Sequence, residues 1–262
     1  MTPAETPVVI LCGGRGTRLQ EHMPTIPKPL VEIGGRPIVG HVVDIYAAQG
    51  FRDFTLCTGF KGEQLERWAA AAEWPRDVVV RCLDTGVDTP TGGRALAAAR
   101  HLGDGPFCLT YADGVADIDL GALLAAHRAH GDLATVTVVR PELQFGVAEI
   151  DDSDPARPRV RGFREKPRAE QWVNGGFFVF EPGIADYLAD DSVLEREPLE
   201  RLATDGRLHA FRHEGFWDCM DTYKDAVFLD DLWAAGAAPW ARPACGGGSM
   251  SPPAAHTSGI AR

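Results

Sequence analysis

Four short runs of apolar and β-branched residues in the first half of the chain alternate with segments of helical periodicity. The strand-like runs are residues 8–12, 53–59, 78–84 and 107–111. The helical patterns are residues 38–49, 62–74 and 93–102, and a further helical pattern at 120–130 precedes a strand-like run at 134–139. This alternation predicts an α/β fold, with a Rossmann-like, mainly parallel sheet covered by helices on both faces.

The second half of the chain has a different rhythm. Strand-like pieces at residues 145–150, 159–164 and 172–180 predict mixed or antiparallel additions to the same sheet, and helical patterns return at 184–189, 198–204 and 222–235. With 262 residues, 45% of them hydrophobic, the chain can bury one large core. We expect a single domain at residues 8–240, a flexible N-terminus at 1–7 and a disordered tail at 241–262, which is rich in glycine, proline and serine.

The formal charge of −11 argues against nucleic acid or an anionic membrane as a partner, so any phosphate site must be local. No window has the roughly 18 apolar residues of a membrane span, and the first seven residues do not resemble a signal peptide. Six cysteines are dispersed without a C-x-x-C pair, which predicts reduced, non-catalytic thiols: Cys12, Cys57, Cys82, Cys108, Cys219 and Cys245. We therefore expect a soluble cytoplasmic protein.

A glycine-rich turn, "CGGRGTRL", follows the first predicted strand and offers backbone N–H groups to phosphate oxygens. It fits neither standard phosphate loop, because a Walker loop needs Lys-Ser/Thr after its last glycine and a dinucleotide fingerprint needs glycine or alanine where Leu19 stands. Arg15, Arg18 and Lys28 add positive charge, and the prolines on either side of Lys28 predict an extended backbone there. Together these features predict a triphosphate site.

These residues resemble a known family. "GGRGTRL…PKPLVEIGGRPI" is similar to the signature of the sugar-nucleotide pyrophosphorylases, nucleotidyltransferases that join a nucleoside triphosphate to a sugar 1-phosphate. The stretches "DTGVDTPTGGRALAAARHL", "LTYADGVADIDL", "NGGFFVFEP" and "GFWDCMDTYKD" are similar to the glucose-1-phosphate cytidylyltransferase branch. Two features depart from that branch: Ala112 replaces a glycine, and the segment between Trp74 and Asp84 is shorter.

The resemblance implies roles for individual residues. Arg18 and Lys28 match the catalytic cations, and Asp113 and Asp221 match the two Mg²⁺ ligands. Asp113 also follows a predicted strand, at the edge where open α/β sheets bind ligands. The expected nucleotide site contains Leu11, Gly13, Gly14, Arg15, Gly16, Thr17, Gly92 and Gly93. The expected sugar-phosphate site contains Gly146, Glu165, Lys166 and Asn174.

The implied reaction is attack by a sugar 1-phosphate oxygen on the α-phosphorus of a nucleotide, with CTP and glucose 1-phosphate favoured. Alternatives remain: the same chemistry with GTP, UTP or dTTP and a modified sugar or cyclitol phosphate, or a non-catalytic regulator that binds a sugar nucleotide. A glycosyltransferase would be expected to carry Asp-x-Asp where this chain has Ala112-Asp113-Gly114. A homo-oligomer is compatible with the family resemblance.

Three further side chains have structural interpretations. His127 and His130 share one face of a predicted helix, but without a third ligand we expect them to be surface residues. Asp117 is expected to start that helix. Trp217 is expected to pack beside the sugar pocket.

Overall fold

The computed structural model describes residues 2–20 and 25–241, apart from the side chains of Arg18 and Gln20. The strands are β1 (Val8–Leu11), β2 (Glu32–Ile33), β3 (Arg36–Pro37), β4 (Asp53–Thr58), β5 (Val79–Asp84), β6 (Phe107–Tyr111), β7 (Gly114–Ala116), β8 (Ala134–Val139), β9 (Val147–Asp151), β10 (Arg159–Arg164), β11 (Val173–Asn174), β12 (Phe178–Phe180), β13 (Leu208–Arg212) and β14 (Trp217–Cys219). The helices are α1 (Thr17–Gln20), α2 (Ile38–Ala47), α3 (Gly62–Ala71), α4 (Thr91–Leu102), α5 (Leu120–His130), α6 (Glu197–Thr204) and α7 (Tyr223–Ala234). Short 3-10 helices occur at Pro3–Glu5, Lys28–Leu30, Pro182–Tyr187 and Pro239–Ala241.

Eight strands form the central sheet. Strands β6, β1, β4 and β5 are parallel neighbours in that order, and β12 lies antiparallel between β6 and β8. Strand β11 pairs antiparallel with β8, and β13 pairs parallel with it. The predicted Rossmann-like, mixed and mainly parallel sheet is confirmed.

The sheet is covered on both faces, as β1 illustrates. Val8 and Ile10 belong to one hydrophobic cluster, whereas Val9 and Leu11 belong to another. Successive side chains of a strand point to opposite faces, so the two clusters occupy opposite sides of the sheet. All four residues of β1 are buried, and β1 is therefore a central strand.

The second half of the chain differs from the prediction. Strands β9 and β10 do not join the main sheet but form a separate antiparallel hairpin, in which Ile150 and Val160 are opposite each other and exposed. Alternating sequence patterns identify strands but cannot say which sheet receives them. The run at 172–180 is split into β11 and β12, and the pattern did not reveal β13 or the two-stranded ribbons β2/β3 and β7/β14.

Several features outside the sheet bear on the remaining expectations. The N-terminal segment contains the Pro3–Glu5 turn, and Thr6 behind it is buried. In the described part of the chain, no helix is long and apolar enough to cross a bilayer, and the five cysteines there are free thiols. The tail predicted at 241–262, which contains Cys245, lies outside the described residues after Ala241.

Candidate active site

A cleft of about 480 Å³ opens at the carboxyl ends of the central parallel strands. The chain passes from β1 to β4 on one side, whereas β6 lies on the other side of β1. The loops that follow β1 and β6 therefore diverge, and this switch point is where open α/β sheets bind ligands. The residues that line the cleft come from these loops, from the Lys28–Leu30 turn and from the start of α4. Others come from the end of β11, from β14 and from the β14–α7 connection.

The glycine-rich loop after β1 forms one wall of the cleft. Leu11, Gly13, Gly14 and Gly16 line it. Their assignment to a nucleotide site stays a prediction. Gly16 has φ +59°, a conformation that favours glycine, and a Cβ there would lie 2.8 Å from the Cβ of Lys28. The loop and the lysine are thus in direct contact.

The other predicted members of this loop are not cleft-lining residues. Thr17 is exposed at the start of α1, and Arg15 pairs with Asp88 at 2.7 Å while its guanidinium lies over the Phe60 ring. The side chain of Arg18 lies outside the described set, so its predicted catalytic role stays a prediction.

Arg94 on α4, which the sequence interpretation overlooked, is a buried cation beneath the cleft. Its side chain is only 3% exposed and donates to the carbonyls of Gly13 (3.0 Å), Thr58 (2.8 Å) and Val87 (3.3 Å). Gly13 and Val87 lie in the loops after β1 and β5, and Thr58 is the last residue of β4, so one guanidinium joins the ends of three strands at the same sheet edge. Hydrogen bonds to a charged donor are stronger than neutral ones.

Gly13→Ala is expected to lower the free energy of unfolding by about 2 kcal/mol or more, because the new Cβ would overlap the Arg94 guanidinium and displace its hydrogen bonds. Gly14→Ala is the matched control, since no atom lies within 4 Å of a Cβ at that position. Chemical denaturation of both variants checks the prediction. Equal stability of the two would contradict the role assigned to Arg94.

Lys28 lies at the centre of the cleft between the two predicted metal ligands. Its Nζ makes a short ion pair with Asp113 and a second with Asp221 at 2.6 Å. We had predicted an extended backbone at Lys28, and this is wrong, because Lys28 begins a 3-10 turn. The Lys28 carbonyl accepts the Val31 N–H, and the Pro27 carbonyl accepts the Leu30 N–H. Pro27 itself is extended.

The two carboxylates meet because of the β7/β14 ribbon. Gly114 and Cys219 are paired in the ribbon, which places Asp113 and Asp221 just beyond this pair on the two strands. The Met220 N–H also donates to the Asp113 carbonyl at 3.0 Å. Asp225, in the first turn of α7, accepts the Asp221 N–H at 3.1 Å and so holds the backbone of the second carboxylate.

The electrostatics of the cluster keep Lys28 charged. Its side chain is 14% exposed, and this burial favours the neutral amine. The ion pairs with Asp113 and Asp221 outweigh burial and raise the pKa of Lys28 above its usual value. Lys28 therefore places a positive charge between two carboxylates in the cleft of a protein that is acidic overall.

The opposite wall of the cleft carries a hydrogen-bonded network around Tyr111. The Tyr111 hydroxyl donates to Glu195 at 2.5 Å and accepts from Asn174 Nδ2 at 3.2 Å. Glu195 also accepts from Thr91 at 2.6 Å, which links the β12–α6 connection to α4. Asn174, Tyr111 and Thr91 all line the cleft, but only Asn174 was among the predicted site residues, and its role in sugar-phosphate binding stays a prediction.

Trp217 also lines the cleft, where its Nε1 donates to the Gly175 carbonyl at 2.8 Å. This arrangement agrees with the expected packing role.

Two groups of predicted residues lie away from the cleft lining. Gly92 and Gly93 pack against residues 190–192, and both N–H groups donate to the Ser192 carbonyl. Close packing against this backbone explains why these two positions lack side chains. We had predicted that they would let the backbone approach a base.

Gly146, Glu165 and Lys166 lie at the β9/β10 hairpin, where a Cβ on Gly146 would lie 2.9 Å from Glu165 Oε2.

We had expected Asp117 to start α5, and the structure shows that it does not. Asp119 occupies the N-cap and accepts the Ala122 N–H, whereas Asp117 accepts the Phe216 N–H at 2.8 Å and lies 3.1 Å from His213 Nε2. Asp117 instead joins the β7–α5 connection to the residue before β14.

Asp218 on β14 predicts a pH dependence of stability. Burial raises the pKa of Asp218 to about 6 from a usual 3.8. At pH values between these two pKa values, the carboxyl is therefore more protonated in the folded state than in the unfolded state. The stability that the protonated carboxyl contributes is therefore present below about pH 4 and lost as pH rises through about 6. Asp218→Asn is expected to stabilise the protein by about 1–2 kcal/mol at pH 8, a value discounted for partial exposure, and to have little effect at pH 4. Denaturation at the two pH values checks this, and an equal effect at both would contradict it.

The chain was compared with known proteins. The family model described as "Nucleotidyl transferase" matches residues 7–218. The chain is 40% identical to a probable glucose-1-phosphate cytidylyltransferase of Bacillus subtilis (strain 168), over 88% of this chain and 98% of that protein. It is 41% identical to the glucose-1-phosphate cytidylyltransferase of Salmonella typhi, over 88% and 97%.

Solved structures support the same fold. HddC from Yersinia pseudotuberculosis, solved as a complex with GMP-PN, superposes with a TM-score of 0.69 at 20% identity, over 87% of this chain and 99% of that one. The resemblance predicted from the motifs is confirmed by the family match and by the relatives. The chain belongs to the nucleotidyl transferase family.

Proposed function

We propose that this protein is a sugar-1-phosphate nucleotidyltransferase that makes CDP-glucose and pyrophosphate from CTP and glucose 1-phosphate. The observation that carries the proposal is the convergence of Lys28, Asp113 and Asp221 beside a glycine loop at the switch point of the sheet. The relatives at about 40% identity, which are named for this reaction, support the choice of CTP and glucose 1-phosphate. A cytoplasmic location belongs to the same proposal.

The residues present suit a hard divalent cation such as Mg²⁺. Asp113 and Asp221 both contact the single Lys28 ammonium, so their oxygens converge on one cation-sized position. Carboxylate oxygens are the ligands that Mg²⁺ prefers, with water and phosphate oxygens completing its shell. When bound, Mg²⁺ would neutralise charge on the triphosphate.

The chain's own residues then have to align the substrates and compensate charge. A sugar 1-phosphate is already ionised at neutral pH, so its attack on the α-phosphorus needs no general base. The N–H groups of the loop at Gly13 to Gly16 can bind phosphate oxygens, and Lys28, kept charged by its surroundings, can stabilise the charge that develops at the leaving pyrophosphate. Arg18 is proposed to assist there, as the family resemblance implies.

The sugar and base sites are the remaining parts of the proposal. Asn174 faces the cleft with its amide held by Tyr111 and by the Gly176 N–H, and such fixed amides can discriminate sugar hydroxyls. Glu165, Lys166 and Gly146 are proposed to complete the sugar-phosphate site from the hairpin. For the base we propose the pocket side formed by Leu11, Gly13 and the start of α4.

A pyrophosphate-release assay tests the substrate assignment. Wild-type protein with Mg²⁺ and glucose 1-phosphate is given CTP, UTP, dTTP, GTP or ATP, and each product is identified by mass. We expect CTP to exceed the other nucleotides by about 100-fold, since a site that hydrogen-bonds its substrate strongly rejects poorly matched analogues. Faster release with another nucleotide would overturn the choice of CTP. If no nucleotide gives pyrophosphate release with any of a panel of sugar phosphates, but the protein binds a sugar nucleotide tightly, the result would favour the alternative function of a non-catalytic regulator.

A further inference from the structure

A cluster of metal-binding side chain types lies at the sheet edge opposite the active-site cleft. His130 ends α5, Asp132 follows the helix by two residues, and His209 is on β13. One potential ligand atom from each lies within 4.8 Å of the other two. The cluster is near the amino ends of β8 and β13, whereas the cleft is at the carboxyl ends of strands that run in the same direction.

We had expected His127 and His130 to be surface residues without a third ligand. This is wrong for the exposure of His127 and for the missing partners of His130, whereas His130 itself is partly exposed. His127 is 1% exposed, and the fold supplies Asp132 and His209 beside His130. His209 is distant in sequence, and it arrives only because the unpredicted strand β13 pairs with β8, placing His209 next to Thr135. The helix periodicity alone could not have identified this partner.

A second layer of contacts fixes the imidazoles. The Thr135 hydroxyl lies 2.7 Å from His130 Nε2 and 2.8 Å from His127 Nδ1, and His127 Nε2 lies 3.3 Å from Glu181 Oε1. Such outer contacts orient the ligands of metal sites. Within the cluster itself, His209 Nε2 contacts Asp132 Oδ2 at 2.8 Å.

We propose that His130, Asp132 and His209 bind a divalent transition metal ion of the zinc type. Two imidazole nitrogens and one carboxylate oxygen form a ligand set that suits zinc, and partial exposure of all three leaves room for water as a fourth ligand. Tetrahedral zinc with such ligands has donor separations of roughly 3.4 Å, so donor atoms that lie up to 4.8 Å apart have to approach by as much as about 1.4 Å. The rings of His130 and His209 are stacked 3.8 Å apart, and His130 Nδ1 accepts the Asp132 N–H at 3.0 Å while its Nε2 contacts Thr135. Metal binding therefore requires the His130 ring to turn and exchange one of these contacts for the metal.

The surroundings of the cluster favour a cation. Asp132 supplies a carboxylate beside two imidazoles, which are ligand types that bind metal in their deprotonated forms. The C-terminal end of α5 adds the negative end of a helix dipole.

Arg207 is the one opposing charge described in the structure beside Asp132. Its Nε donates to Asp132 Oδ1 at 2.8 Å, so it competes with a metal for the carboxylate. This contact supplies a sharp test, because removal of a competing cation should tighten metal binding, whereas loss of a purely structural ion pair should not.

Zinc binding to untagged full-length protein is measured by calorimetry in excess Mg²⁺, which occupies harder oxygen sites. We expect one saturable zinc site, weakened about 10-fold or more in His130→Ala and His209→Ala, unchanged in His101→Ala on the exposed face of α4, and tightened in Arg207→Gln. Turnover with Mg²⁺ should be unchanged in all four variants. The metal should also raise the melting temperature of the wild type, because it ties α5 to β13.

A readout on the wild-type protein avoids dependence on the folding of variants. Ring ¹⁵N resonances of His130 and His209 should shift on addition of zinc, whereas those of His101 should not. Zinc binding that is equal in His209→Ala and wild type, ring resonances that do not move, or no saturable zinc binding would each overturn the proposal. This outcome is independent of the proposed nucleotidyl transfer, which is assayed with Mg²⁺ at the other edge of the sheet.

Discussion

Asp113→Asn is expected to reduce turnover by about 10³-fold while the fold is retained. The amide keeps the shape of the side chain and can still accept a hydrogen bond from Lys28, but it loses the negative charge that a divalent cation requires. Lys28 keeps its ion pair with Asp221, so the loss of stability should be about 1 kcal/mol. Steady-state kinetics at saturating substrates and thermal denaturation provide the two readouts.

The control for this variant is Asp231→Asn, on the exposed side of α7. The substitution is chemically identical but lies outside the cleft, and it should leave turnover unchanged. An Asp113→Asn variant with turnover within a few-fold of wild type would contradict the placement of the reaction beside Asp113. A variant that loses both fold and turnover would assign Asp113 a structural role.

Lys28→Ala is expected to lower turnover by about 10²–10³-fold, because a preorganised cation at the triphosphate is lost. The same change leaves Asp113 and Asp221 facing each other without their shared ammonium. Their repulsion should lower the melting temperature in the absence of metal, and added Mg²⁺ should restore it more than it stabilises the wild type. Thermal denaturation across a Mg²⁺ series measures this difference.

Lys224→Ala, at an exposed position of α7, is the matched control and should change neither turnover nor the response to Mg²⁺. Lys28→Arg tests whether charge alone is sufficient. The guanidinium is larger and planar, so we expect partial activity at most. Full activity of Lys28→Ala would exclude Lys28 from the reaction centre.

The parallel half of the sheet could be predicted because each strand is buried on both faces. A strand such as β1 is a continuous apolar run, and the following glycines mark its exit, so both the strand and the loop are visible in the sequence. The separate hairpin β9/β10 could not be predicted, since its alternation is that of any half-exposed strand. Phe163 on β10 is a large apolar residue, but its side chain is 66% exposed, so its residue type does not indicate which surface the strand packs against.

The candidate site was predicted where local sequence carries the signal. Gly16, Lys28 and Asp113 lie in motifs whose residues are neighbours in the chain. Arg94 and Tyr111 were not identified, because their partners are backbone carbonyls and side chains from distant loops. Gly93 looked like a site for close approach of a ligand, but the close neighbour is the protein's own backbone at Asp190. A glycine signals close approach without saying what approaches.

The most direct test of the account is the reverse reaction. Wild-type protein is incubated with CDP-glucose, pyrophosphate and Mg²⁺, and the products are identified by mass, with UDP-glucose, ADP-glucose and GDP-mannose run in parallel. Nucleotidyl transfer is reversible through the same site, so the account predicts CTP and glucose 1-phosphate from CDP-glucose, and their loss in Asp113→Asn and Lys28→Ala. Release of CMP, or no pyrophosphate-dependent consumption of any of the four nucleotide sugars, would contradict it.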